Sequence, residues 1–273
     1  MERRTSPQNV PVQVNSQHER EGERSEAIVA SSRESLHPHP EDFLAHVIHE
    51  LKTPLTVIKG NIQLTNRHLQ RHRRQPEIIP DYLAEATLLQ VIDQQVDRVN
   101  MLLSNLQDVF RIQSGKMELC TVPCELVSLV RHTVHSYTRK SNNAREIRMD
   151  LPEHQEFHVH IDPLKIEQVI NHYLNNAIQY SPADTPIDIS VRPATTGVCC
   201  SVRDAGMGIA SQQLENIWDN FVRRDGSPKY TDRSSGLGVG LYISKSIIEQ
   251  HHGQVGIQSK PGEGTTAWFT LPL

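Results

Sequence analysis

The sequence predicts an α-helical hairpin that pairs with a second copy as a dimeric four-helix bundle. It is followed by an α+β sandwich domain, a mixed sheet with helices on one face. Three observations predict this. Seam positions from Leu44 to Phe110 recur at alternating steps of three and four, the spacing of helical stripes. From Lys116 onward the period shortens toward two, in short runs bounded by turn residues. Strands and helices then mix without a regular βαβ alternation, which favours α+β over a doubly wound sheet.

Composition sets the outer bounds. The 273 residues leave room for two modest domains, and 37% hydrophobic with 22% charged residues is a lean globular composition. No apolar run approaches the ~20 residues that cross a bilayer. The opening Glu2, Arg3 and Arg4 are not followed by an apolar signal core, so a cytoplasmic location is expected. A net charge of −4 argues against a broad basic surface for nucleic acid. Cys120, Cys124, Cys199 and Cys200 form no CxxC pair and read as free thiols. The 15 histidines are scattered; His158 and His160 share one strand face, with no third metal ligand evident.

Residues 1–40, rich in Glu, Arg, Ser, Gln and Pro, bury too little apolar surface to offset chain entropy and read as a disordered arm or linker. Glu41 and Asp42 suit a first helical turn. The first seam runs through Leu44, Ile48, Leu51, Leu55, Ile58, Ile62, Thr65 and Leu69. After a break from Gln75 to Asp81, a second runs from Tyr82 through Leu89, Val96 and Leu103 to Phe110, and Gly115 stops it. One hairpin has too little core to stand alone, so a homodimer follows; packing against the rest of the same chain is the alternative. Strands are expected at Met117–Val122, Glu146–Leu151, Glu156–Ile161, Ile187–Arg192, Val198–Arg203, Gln254–Ser259 and Thr265–Leu271. Helices are expected at Glu125–Ser141, from Pro163 to Tyr180 behind an Asp162 cap, and from Val239 to His252, ended by Gly253.

The first seam carries one chemically distinctive segment. His49 falls one position beyond Ile48, on the solvent side of the helix; Glu50 follows, and Thr53 lies one turn above His49. Pro54 removes a backbone donor, so a local kink is expected. A zinc-protease motif would need histidine where Thr53 stands, and fails. An exposed helix histidine needs no function. A neutral imidazole is nonetheless nucleophilic near neutral pH, and a neighbouring carboxylate can hold the proton on one ring nitrogen and sharpen the other.

Three glycine clusters mark the second domain. Asp204-Ala205-Gly206-Met207-Gly208 follows a strand, Gly236-Leu237-Gly238-Val239-Gly240 precedes a helix, and Gly262-Glu263-Gly264-Thr265 precedes the last strand. Each alone reads equally well as ordinary turns. Glycines let backbone approach a ligand closely, and a helix starting near Gly240 offers unpaired N–H groups to phosphate. The middle cluster has GxGxG spacing, not the GxGxxG of a dinucleotide fold, and no GxxxxGK[ST] exists.

With Phe43 upstream and Gly60 downstream, His49–Pro54 resembles the phosphoacceptor box of the sensor histidine kinases of two-component signalling. The hairpin, residues 41–115, then resembles their dimerisation and phosphotransfer domain. The resemblance implies that His49 takes the γ-phosphoryl group of ATP, Glu50 acts as general base, and Thr53 positions water when the partner is dephosphorylated. The glycine clusters, in their order, make residues 116–273 resemble the ATP-binding domain shared by histidine kinases, type II topoisomerases and heat-shock chaperones. There Asp204 would accept from the adenine amino group, Gly206 and Gly208 would shape its pocket, and Thr265 would support that end. Gly236, Gly238 and Gly240 would cradle phosphates. Gln168 to Pro182 resembles the N box, with Asn176 as the Mg2+ ligand and Tyr180 near the base. Ile217–Phe221 resembles the segment before an ATP lid, with Arg223 meeting the γ-phosphate and residues 224–235 as the lid. His172 stands where asparagine is common and Gln179 where lysine is common.

The function implied is an ATP- and Mg2+-dependent protein-histidine kinase. It would autophosphorylate on His49 as a homodimer and pass the group to an aspartate of a response regulator. The chain would be soluble or the cytosolic portion of a longer receptor. Two other classes compete. A catalytically weak nucleotide-binding module would rest on His172 and Gln179; a chaperone or topoisomerase role would leave the His49 box without purpose.

Overall fold

The computed structural model describes residues 40–74, 82–140, 145–218 and 237–273. The expected arm (but for Pro40), the hairpin turn, Arg223, Gly236 and the lid lie outside them. Helix α1 (Pro40–Arg74) runs on through Pro54, and α2 (Tyr82–Gln113) follows it. Gly115, at φ +65°, ends α2 in a Schellman arrangement: Lys116 N–H donates to Arg111 O at 2.8 Å and Gly115 N–H to Ile112 O at 3.0 Å. Only part of each seam is covered. Ile48, Leu55, Ile62 and Leu69 on α1, and Leu89, Val96, Leu103 and Phe110 on α2, step by seven and are all exposed.

The first strand departs from expectation. It is β1 (Val122–Glu125), not Met117–Val122, because a strand exists only where a partner completes its ladder. That partner, β3 (His158–Ile161), pairs antiparallel from Val122↔Ile161 to Glu125↔His158 and reaches no further back. The Cys120 N–H donates instead to Asp162 Oδ2 at 2.9 Å. Helix α3 (Leu126–Lys140) starts where Glu125 caps it, one carboxylate oxygen on Val127 N and the other on Ser128 N. Burial alone would raise the Glu125 carboxyl, but bonds from Ser128, Val127 and Phe157 outweigh it and hold it below the ordinary range.

The main sheet has the order β2-β4-β5-β7-β6, with β2 (Ile147–Asp150), β4 (Ile187–Ala194), β5 (Gly197–Asp204), β6 (Gln254–Lys260) and β7 (Gly264–Leu271). The β2–β4 pair is parallel and the others antiparallel. Ile187, Ile189 and Val191 on β4 are buried, while Asp188, Ser190 and Arg192 between them are not. The buried face packs on α4 (Pro163–Tyr180), where Ile166, Ile170 and Leu174 are sealed and the Tyr173 ring lies 6.2 Å from Phe269. Asp162 caps α4 and Pro163 opens it, as the sequence predicts. A short α5 (Ser211–Leu214) precedes α6 (Gly240–Gln250).

The stop of α6 differs from expectation. His252, not Gly253, takes the left-handed conformation, at φ 59°. Gly253 is needed for space: a Cβ there would lie 2.0 Å from Thr270 O.

Candidate functional site

The α1 site is built by helix geometry alone. His49 and Thr53 are both exposed on one flank, and Thr53 Oγ1 donates to the His49 carbonyl at 3.3 Å. One residue on, the helix turns Glu50 inward. Its carboxylate is buried and lies 3.7 Å from Arg98 of α2, an ion pair spanning the two helices. The sequence reading did not single out Arg98, because nothing in spacing within one helix announces a partner on the other. Ile48, Leu51, Lys52, Leu55, Thr56 and Lys59 line a shallow groove beside His49.

At the sheet end, Asp204 closes β5 opposite Thr265 of β7. One Asp204 oxygen accepts from Gly206 N–H at 2.7 Å. The glycines here are demanded by neighbouring protein. A Cβ on Gly206 would lie 2.3 Å from Tyr180 O, one on Gly208 1.8 Å from Lys260 O, and one on Gly264 2.0 Å from Asp204 O. The loop after β5, the end of α4 and the β6–β7 hairpin therefore converge around Asp204. Ser259, absent from the sequence reading, ties them: its hydroxyl accepts from Ile209 N at 2.8 Å, donates to Gly264 O at 2.9 Å and meets Thr265 Oγ1 at 2.8 Å. Tyr180, at the end of α4, is 41% exposed. Gly238, at φ +68°, and Gly240 lead into α6; Gly240 packs on the His172 ring.

His172 is buried, its Nδ1 3.1 Å from Ser244 Oγ of α6 and its Nε2 3.3 Å from Asn105 Oδ1 of α2. Three residues along α2, Asp108 is buried with one oxygen 2.8 Å from Lys165 Nζ and the other 2.8 Å from Gln168 Nε2. The lower end of α2 is thus docked on α4 and α6 through polar groups. Burial pushes the His172 pKa down to about 4, with the Asp108 charge opposing the shift and Lys165 adding to it. A neutral ring has one N–H to share between these two contacts, and the Ser244 hydroxyl gives its own proton to Gly240 O at 2.8 Å.

The folded state accordingly resists protonation that the unfolded chain accepts at 6.5. Stability is whole above pH 6.5 and declines as pH falls toward 4, by about 3 kcal/mol from this group. His172→Asn is expected to remove that component from urea midpoints measured between pH 7 and 4.5. An identical pH dependence in the variant would refute the assignment.

With both its nitrogens engaged, His172 is a bridge between helices and not a metal ligand. Asn176, one turn on, keeps a half-buried side-chain amide with no hydrogen bond among the described residues. One amide oxygen suits a magnesium ion, which keeps mostly water and phosphate oxygens around it. His158 pairs with Glu156 at 3.0 Å, fully at the surface, and no cluster of three metal-binding side chains occurs among the described residues.

Comparison with known proteins decides the family. The family described as "His Kinase A (phospho-acceptor) domain" matches residues 41–115, and "Histidine kinase-, DNA gyrase B-, and HSP90-like ATPase" matches residues 161–273. The chain belongs to the sensor histidine kinases. The chain is 29% identical to the alginate biosynthesis sensor protein KinB of Pseudomonas aeruginosa over 85% of its length, and 27% identical to the sensor histidine kinase WalK of Bacillus subtilis over 89%. It is 30% identical to the adaptive-response sensory kinase SasA of Synechococcus over 84%. It spans 37%, 38% and 58% of those relatives' lengths. In fold it resembles the Acinetobacter baumannii histidine kinase AdeS (TM-score 0.55, 21% identity, 82% of this chain and 97% of that one). It also resembles histidine kinase ThkA, solved in complex with response regulator protein TrrA (TM-score 0.56, 22% identity, 96% and 68%). The matched phosphoacceptor segment sets aside a chaperone or topoisomerase reading. Among the described residues, no helix is long and apolar enough to cross a membrane.

Proposed function

We propose that this kinase, as a homodimer, phosphorylates its own His49 from ATP and passes the phosphoryl group to an aspartate on a response-regulator receiver domain. The observation that carries the reading is an exposed His49 on the flank of an apolar stripe that one chain leaves uncovered. The stripe supports pairing with a second copy, since eight large apolar side chains repeating at sevens match a four-helix seam.

In this reading a neutral His49 nitrogen attacks the γ-phosphorus while the bond to the bridging oxygen breaks and ADP leaves with that electron pair. The proton on the second ring nitrogen goes to Glu50 or to water. The receiver's carboxylate then attacks phosphorus, the P–N bond breaks with its electron pair going to the ring nitrogen, and a proton returned by Glu50 or water restores the neutral imidazole. Thr53, one turn above His49, is placed to orient water for the reverse duty of removing phosphate from the regulator. Asp204 accepts from the adenine amino group, Gly206 and Gly208 hold the turn around it, and Thr265 and Tyr180 flank the base. Gly238 and Gly240, with Gly236 before them, offer backbone N–H groups to phosphate. Arg223 meets the γ-phosphate as charge spreads in transfer. Asn176, through its amide oxygen, would hold Mg2+, which when bound offsets phosphate charge.

Incubation with γ-labelled ATP and magnesium is expected to give an acid-labile, base-stable phosphoprotein that sediments as a dimer. Adding a cognate receiver domain should chase the label onto an aspartate. A phosphoprotein stable to acid, or label that no receiver from a broad panel removes, would overturn the proposal.

A further inference from the structure

The residue that opens the way into β2 is a buried arginine whose hydrogen bonds all lead to the nucleotide end of the second domain. Arg145 is 7% exposed. Its Nε donates to Thr185 O at 2.9 Å, and Nη1 to Ile178 O at 3.3 Å and Ser181 O at 3.2 Å. Nη2 donates to Thr185 Oγ1 at 3.0 Å and to Ser181 Oγ. Every one of these acceptors belongs to the last turn of α4 or the turn that follows it. A helix C-terminus leaves carbonyls without partners and carries the negative end of the dipole, so a guanidinium fork there satisfies several acceptors at once.

That turn is the wall behind Asp204. Gly206 presses against the Tyr180 carbonyl so closely that a Cβ would lie 2.3 Å from it, and the same Cβ would lie 2.7 Å from Asp204 Oδ1. Burial pulls the Arg145 pKa below the ordinary arginine value, and the charges of Asp204 and Asp184 act against that pull, which places both carboxylates in electrostatic reach. A movement of the α4 end would be felt at Asp204 through a contact with no slack.

We propose that Arg145 is a positioning residue for the base end of the ATP site, clamping the α4 terminus and the Ser181–Thr185 turn so that Tyr180 and Asp204 hold the geometry that receives adenine. The inference rests on the reading of Asp204 as the adenine acceptor. Arg145 itself touches no substrate. It acts through the Tyr180–Ser181 backbone, and its effect should fall on base recognition and spare the phosphate end.

The test compares binding of ATP and of magnesium tripolyphosphate, which lacks a base, to the intact chain. In Arg145→Met, with the helical CD spectrum retained, ATP affinity is expected to fall roughly 10- to 30-fold, the scale of several buried acceptors left unpaired. Tripolyphosphate affinity should stay within about twofold of wild type, as should the phosphorylation rate at saturating ATP. Ethylguanidinium added to Arg145→Ala should restore much of the ATP affinity. Thr185→Val, which deletes one acceptor hydroxyl, should weaken ATP roughly threefold, and it carries the test if Arg145→Met does not fold. Equal losses for ATP and tripolyphosphate, or unchanged ATP affinity in the folded variants, would overturn the inference. Asp204→Asn separates the two layers. If it loses ATP while the Arg145 and Thr185 variants do not, only this inference fails; if it also binds ATP normally, the reading of Asp204 fails.

Discussion

His49→Gln is expected to abolish label transfer from γ-labelled ATP, by at least ~10³-fold, while ATP affinity stays within about twofold. The argument is chemical first. Glutamine has no lone pair on an sp2 ring nitrogen, so the side chain that replaces His49 cannot attack phosphorus. It is structural second. His49 is exposed, and a surface substitution in a helix moves stability by no more than about 0.5 kcal/mol. A lost signal would therefore report on phosphorus acceptance, not on folding. Nucleotide affinity should be spared because His49 belongs to the helical hairpin and the proposed ATP residues to the sheet domain. Substantial label remaining in His49→Gln would place the acceptor elsewhere and overturn the proposed function.

Asp204→Asn is expected to weaken ATP binding roughly 30- to 100-fold, and to narrow the preference for ATP over GTP. The substitution is nearly isosteric, and the Asn carbonyl oxygen still accepts from Gly206 N–H, a bond of 2.7 Å to the carboxylate in the native chain. What changes is the second atom: an acceptor becomes an NH2 donor facing the donor amino group of adenine, in a site where Asp204 is only 8% exposed. Guanine presents a carbonyl at the corresponding position and should suffer less. Equilibrium titration with both nucleotides reads the result. Unchanged ATP affinity would remove Asp204 from the site and with it the adenine end as drawn.

Elements whose signals lie within a few residues were legible before the fold was known. Asp162 and Pro163 marked the start of α4, Gly115 stopped α2, and the last two strands flanked their glycine turn as expected. Signals that depend on a distant partner were not. Residues 117–121 alternate like a strand but find no ladder, because β3 ends its pairing at Val122. The three glycine clusters were found, though for an incomplete reason: Gly206, Gly208 and Gly264 are small because carbonyls of Tyr180, Lys260 and Asp204 crowd them. His172, which the sequence shows only as standing where asparagine is common, is a bridge from α4 to α2 and α6.

The amino-acid order alone marks the residues proposed to carry chemistry in this chain. Helix period, capping and turn preference act over one to four residues, so the place of His49 on its flank and the glycine turns around Asp204 are written locally. Tertiary packing alone settles how those groups are held: Glu50 against Arg98, Asp108 between Lys165 and Gln168, and Arg145 beneath the end of α4. Those partners lie about 30 to 60 positions apart along the chain, where no short-range preference acts, and only burial of the shared core brings their charges close enough to pair.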